Sequence, residues 1–164
     1  MTPAAQLARP GEEEVTAIVT DQTHASAPAD LRYDFTLPTA HVTSVPRSRA
    51  EVDQVLSSWG LATHPIRDAV LLIVSELVTN AVRHAAVCSS AVDVALAMAD
   101  GQLDVAVHDR HPHRPRALPT PREDGDGGFG LHLVQHLAVE AGGSTAVPAD
   151  PDGGGKTVTV TLPL

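Results

Sequence analysis

The run from Ile66 to Ala85 constrains the fold more than any other part of this chain. Its apolar residues Ile66, Ala69, Val70, Ile73, Leu77 and Ala81 recur at the spacing of one helix face, so the segment is expected to be a helix lying on a core. The same helix carries Glu76, Asn80 and His84 at four-residue intervals, with Arg83 beside them. Residues four apart differ by about 40° around a helix axis, which makes these three a slowly drifting stripe. A carboxylate, an amide and an imidazole set among Leu72, Ile73, Val74, Leu77 and Val78 are costly to desolvate unless something bonds them. The stripe is either a solvated helix face or, as its apolar surroundings favour, a site for a polar ligand.

The rest of the core has to be built almost without rings, because 43% of residues are hydrophobic but only 2% are aromatic. Ala, Val and Leu must fill it, and 164 residues are enough for one ordinary domain to do so. The net charge of −9 argues against a nucleic-acid surface, which needs a basic patch. Cys88 is the only cysteine, so neither an intramolecular disulfide nor a Cys-based zinc site is expected. No apolar run is long enough for a signal peptide or a bilayer span, which makes the cytoplasm the default compartment.

Along the chain, residues 1–30 mix Pro, Ala, Thr and a Glu12-Glu13-Glu14 run without a sustained period, and are expected to form a disordered arm preceding a domain over residues 31–164. The alternating run Arg32 to Leu37 stops at Pro38 as an edge strand would. Ser44 is placed to cap a helix with Val52, Val55, Leu56 and Trp59 inside and Gly60 at its end, and Thr63 or His64 with Pro65 opens the next. Two alternating runs, 91–96 and 103–107, flank Asp100-Gly101, a hairpin signal. From Arg110 to Asp126 the pattern gives way to Pro, His, Arg and acidic residues, a connection long enough to suggest a lid. Leu131, Val134, Leu137, Ala138 and Ala141 then space out a helix closed by Gly142-Gly143, and residues 156–162 alternate once more. Strand, helix, helix, hairpin, lid, helix, hairpin implies a two-layer α/β sandwich of the α+β type, with a mixed, mostly antiparallel sheet and helices on one face.

Three places carry chemistry. A carboxylate near an amide oxygen, as at Glu76 and Asn80, suits magnesium, which prefers hard oxygens and keeps waters and substrate phosphates in its shell. Asp109, after an apolar strand, can accept a hydrogen bond from an exocyclic amino group such as that of adenine, although Asp is equally at home in a turn. Gly127-Gly128-Phe129-Gly130 leads straight into a helix, where backbone N–H groups can approach a phosphate; it is neither a Walker loop nor a convincing dinucleotide fingerprint. His108, His111 and His113, and His132 with His136 on the outer side of the last helix, lack the acidic or Cys partners of a zinc site and are expected to be solvated.

In this order, Glu76-x-x-x-Asn80, Asp109 after a strand, and Gly128-x-Gly130-Leu131 opening a helix resemble the GHKL ATPase superfamily with its Bergerat-type fold. The run Leu72 to Ala85 looks like one branch of it, the stand-alone histidine-kinase-like ATPase domain of bacterial anti-sigma factors and related serine-protein kinases. The resemblance covers about residues 31–164 and implies ATP and Mg2+ as ligands. It implies that Asn80 ligates the magnesium, that Glu76 activates a serine hydroxyl or a water, and that Asp109 binds the adenine amino group. Gly128, Gly130 and Leu131 would lie where the lid meets the phosphate-facing helix, with Arg83 and His84 able to approach the phosphates. A regulatory serine/threonine kinase of the anti-sigma type is implied, with a sigma factor or its antagonist as partner, no direct nucleic acid, no membrane, and a homodimer permitted. The alternative is a non-catalytic, nucleotide-gated binding module; a detached sensor-kinase domain fits less well, since no dimerisation helix with a phospho-acceptor histidine is present. Three features depart from the branch pattern. Phe129 stands where Arg is usual, Lys156 stands where many relatives have Thr, with Thr157 one residue later on the opposite strand face, and Glu123, Asp124 and Asp126 crowd the lid.

Overall fold

The computed structural model describes residues 30–39, 41, 43–85, 88–111 and 129–164. The proposed N-terminal arm and nearly all of the lid, including Gly128, His113 and the three lid acids, lie outside these residues.

Among the described residues eight elements follow the expected order: β1 (Leu31–Pro38), α1 (Ser44–Ser58), α2 (Ile66–Ala85), β2 (Ala91–Ala99), β3 (Gln102–Asp109), α3 (Phe129–Glu140), β4 (Ser144–Ala146) and β5 (Lys156–Pro163). The strands form one sheet in the order β1-β2-β3-β5-β4, and every pairing in it is antiparallel, including the β3–β5 pair that the lid and α3 separate in sequence. The mostly antiparallel sheet expected from the sequence is thus antiparallel throughout.

Alternation along the strands decides which face is covered. Val92, Val94 and Leu96, then Leu103, Val105 and Val107, then Val158, Val160 and Leu162 are buried on one face beneath the helices. Their neighbours Asp93, Ala95, Asp104, Ala106, Thr157 and Thr159 face the other way and are exposed or half-buried. Aliphatic residues from α2 complete the core: Val70, Ile73, Val74 and Val78 are fully enclosed, each worth about 1.5–3 kcal/mol on burial.

Local chemistry sets the ends of the elements. The β2–β3 hairpin turns on Asp100 (φ 50°) and Gly101 (φ 72°), the two positive angles of a type I′ turn. At the end of α3, Gly142 (φ 76°) and the bond from Gly143 N–H to the Ala138 carbonyl (2.7 Å) close the helix in a Schellman-like stop. The start of α1 differs from expectation. Thr43, not Ser44, holds the cap position and makes no side-chain cap bond. Ser44 is instead fully buried, and its hydroxyl donates to the Pro38 carbonyl at 2.6 Å, tying the end of β1 to the first turn of the helix.

Candidate nucleotide site

The polar stripe of α2 meets the first turn of α3. Glu76 and Asn80 are half-buried on the flank of α2 and Gly130 is the second residue of α3. A Cβ placed on Gly130 would stand 2.7 Å from Glu76 Oε2 and 3.1 Å from Asn80 Nδ2. Glycine is therefore what allows the start of α3 to pass directly over the carboxylate and the amide. The start of a helix carries partial positive charge and suits an anion, so a carboxylate and an amide lie here beside an end that favours phosphate. Leu131 packs half-buried against the core beside them. Arg83 and His84 lie one turn farther along α2, both exposed, in the last turn where the helix dipole favours cations. Glu76, Asn80 and Gly130 are thus brought together, Arg83 and His84 flank them, and Gly128 is outside the described residues.

Asp109 ends β3 directly opposite Lys156, which begins β5. Both point to the helix-covered face and both are buried, Asp109 at 5% exposure and Lys156 at 7%. Lys156 Nζ donates to Asp109 Oδ1 at 2.7 Å and to the His111 carbonyl at 3.3 Å, while the His111 N–H donates to the same Oδ1 at 2.8 Å. Gly155 permits this close packing: a Cβ there would overlap the Asp150 carboxylate and come within 2.7 Å of the Asp109 carbonyl oxygen. The ion pair was not foreseen in the sequence. Its signal was available, because Lys156 shares the inward parity of Val158, Val160 and Leu162, and a charge on that apolar row requires a buried counter-ion.

The opposite face of the sheet has its own polar cluster. His108 lies between Asp150 (Nε2 to Oδ2, 3.0 Å) and Asp93 (Nδ1 to Oδ2, 3.5 Å), and Arg110 pairs with Asp152 at 3.3 Å. Thr157 lines a cavity of about 450 Å3 on this face, together with His108, Asp93 and Arg32, so it is on the far side of the sheet from Asp109. Among the described residues no group of three or more His, Cys, Asp or Glu could hold a metal. His136 is exposed and pairs with Glu140 at 3.3 Å, but His132 is not on the outer side as expected: its Nε2 is buried and has no hydrogen-bond partner among the described residues. A helix rotates about 40° between residues four apart, and that rotation carries His132 against its neighbours.

Among the described residues, three helices lie on one face of an antiparallel sheet, and α3, with Gly130 in its first turn, passes over the Glu76–Asn80 stripe. The chain belongs to the histidine kinase-like ATPase domain family, whose profile matches residues 39–162, and ATP binding is that family's common property. No curated protein sequence matches the chain. Among solved structures, the RsbU and RsbW domains of Rv1364c from Mycobacterium tuberculosis are similar at a TM-score of 0.56 and 23% identity, over 81% of this chain and 33% of that one. The SiaB-SiaC complex from Pseudomonas aeruginosa is similar at 0.50 and 14%, over 82% and 89%. The blue-light activated histidine kinase of Erythrobacter litoralis EL346 is similar at 0.50 and 21%, over 78% and 42%. This chain spans about a third of the Mycobacterium tuberculosis chain and under half of the Erythrobacter litoralis chain, and at these identities the likeness is one of fold. No described helix is long and apolar enough to cross a membrane.

Proposed function

We propose that the chain is an ATP-binding regulatory protein of the anti-sigma factor type that transfers the γ-phosphoryl group of ATP to a serine or threonine of an antagonist protein. The observation that supports this is the close approach of Gly130 to Glu76 and Asn80, in which Glu76 would serve as base and Asn80 as magnesium ligand beside the start of α3. Two oxygen donors of this kind are too few to saturate Mg2+ but suit an ion that keeps its waters and the phosphates as ligands. When bound, the ion would neutralise phosphate charge. Asn80 would hold it through its side-chain oxygen, and the first N–H groups of α3 would receive phosphate oxygens.

Glu76 would orient the acceptor hydroxyl and take its proton as the hydroxyl oxygen bonds to the γ-phosphorus and the bond to the β–γ bridging oxygen breaks, leaving ADP. Asp109 would accept from the adenine amino group, and Arg83 and His84 would stand near the phosphates. Positioning and charge neutralisation supply most of what such a transfer needs. A sigma factor, its antagonist protein, or both are the partner class implied by the branch that the run Leu72 to Ala85 resembles.

A non-catalytic, nucleotide-gated module is the second reading, favoured by Phe129 where the branch pattern has Arg and by the negative charge of Glu123, Asp124 and Asp126. Incubation with labelled ATP and candidate antagonists separates the two. Transfer that disappears in Glu76→Ala supports the kinase; partner binding that depends on nucleotide but persists in Glu76→Ala, with no transfer by the wild type, supports the module.

A further inference from the structure

Lys156 is the sole lysine of the chain, and only 8% of its side chain is exposed. Its ammonium has three N–H donors. One goes to Asp109 Oδ1 and one to the His111 carbonyl; the third meets no acceptor among the described residues. Asp109 has the complementary surplus, since Oδ1 receives both Lys156 and the His111 N–H while Oδ2 accepts from no described residue. A spare donor and a spare acceptor therefore stand side by side where β3 ends and β5 begins, on the helix-covered face. His132 Nε2, and not Asp109 Oδ2, is the enclosed side-chain atom without a partner among the described residues, so the free edge of this pair is open to water or to a ligand.

We propose that Lys156 reads the base: its ammonium donates to adenine N1 while Asp109 Oδ2 accepts from the adjacent exocyclic amino group. The inference rests on the adenine-nucleotide reading above and adds a second specificity residue to it. Adenine offers an acceptor beside a donor along this edge. Hypoxanthine and guanine in the same pose offer N1–H and O6, so donor would face donor and acceptor would face acceptor. Mismatch at both atoms rejects a 6-oxopurine more strongly than a carboxylate alone. Thr157, which faces the opposite side of the sheet, takes no part.

The test is calorimetric titration of the full chain with Mg-ATP, Mg-ITP and the magnesium complex of 1-deaza-ATP, whose N1 is replaced by C–H. The wild type and Lys156→Met are compared, each first shown to be folded by its melting curve. The wild type is expected to bind 1-deaza-ATP about tenfold or more weakly than ATP, as befits loss of a charged hydrogen bond. Lys156→Met is expected to bind the two within about twofold and to discriminate less against ITP. Equal wild-type affinity for ATP and 1-deaza-ATP, or an unchanged ratio in folded Lys156→Met, overturns the role of Lys156 and leaves the adenine-nucleotide reading standing. Absence of any nucleotide binding by the wild type overturns both. If Lys156→Met does not fold, the wild-type ratio decides, with Lys156→Gln, which keeps an N–H donor, expected to retain part of it.

Discussion

Replacing Gly130 by Ala should separate the site from the fold. Inside a helix, Ala is favoured over Gly by about 0.5–1 kcal/mol. Against this stands a Cβ 2.7 Å from Glu76 Oε2 and 3.1 Å from Asn80 Nδ2. Those two atoms are the free ends of half-buried side chains, so they can swing aside by a few tenths of an ångström without moving backbone. The terms nearly cancel, and the stability of Gly130→Ala should stay within about 1 kcal/mol of wild type. Binding should not survive as well, because the carboxylate and the amide are the groups displaced. A tenfold or greater loss of Mg-ATP affinity is expected, about 1.4 kcal/mol or more.

Gly143→Ala is the control with the opposite profile. Its Cβ would overlap the Thr161 backbone carbonyl and come within 3.0 Å of Leu162 Cδ2, neither of which can yield cheaply. It should cost about 1–3 kcal/mol of stability and leave intrinsic affinity near wild type under folding conditions. Urea unfolding followed by the fluorescence of Trp59, the sole tryptophan, gives the first quantity and calorimetry the second. Gly130→Ala with wild-type affinity would refute the placement of the nucleotide against the Glu76–Asn80 stripe.

Two further outcomes follow from other contacts. Asp109→Ala removes the counter-ion of the buried Lys156 ammonium, leaving it the His111 carbonyl, and should lower stability by about 3–5 kcal/mol in urea unfolding, whereas an effect below about 1 kcal/mol would show the pair to be solvated. Tyr33, the only tyrosine, donates its hydroxyl to Glu51 Oε1, and this hydrogen bond, with smaller help from burial and the Glu51 charge, raises its pKa above the ordinary value of about 10. Because the bond needs the protonated phenol, its contribution is complete below the unfolded-state value and is lost as pH rises through the folded one. Absorbance at alkaline pH should show this shift and its disappearance in Glu51→Ala; identical curves would remove the contact.

Much of this architecture could be read from periodicity alone. Helix α2 announced itself because Val70, Ile73, Leu77 and Ala81 repeat at 3.6, and the β2–β3 hairpin because two alternating runs flank Asp100-Gly101. The family was legible in Glu76-x-x-x-Asn80, Asp109 and Gly128-x-Gly130 taken in order, whereas the close approach of Gly130 to the Glu76–Asn80 stripe emerges only from the packing of α3 on α2. What escaped were contacts that depend on register or on tertiary packing. The Lys156–Asp109 pair joins residues far apart in sequence and exists only because β3 and β5 align those two positions. Ser44 reads as a cap until Pro38 is seen to lie within reach of its hydroxyl. The burial of His132 Nε2 was hidden for the same reason, since helical spacing places a side chain on a face but does not say how far a neighbouring element extends over it.

The most direct test of the central claim is thermal unfolding of wild type and Asn80→Ala with and without Mg-ATP. A ligand at about a hundred times its Kd adds about 2.7 kcal/mol, which for a domain of this size raises Tm by roughly 5–10 °C. The wild type should show that rise and Asn80→Ala should lose most of it, while the two melt at similar temperatures without nucleotide. A full rise retained in Asn80→Ala, or none in the wild type, would contradict a Mg-ATP site on the stripe of α2.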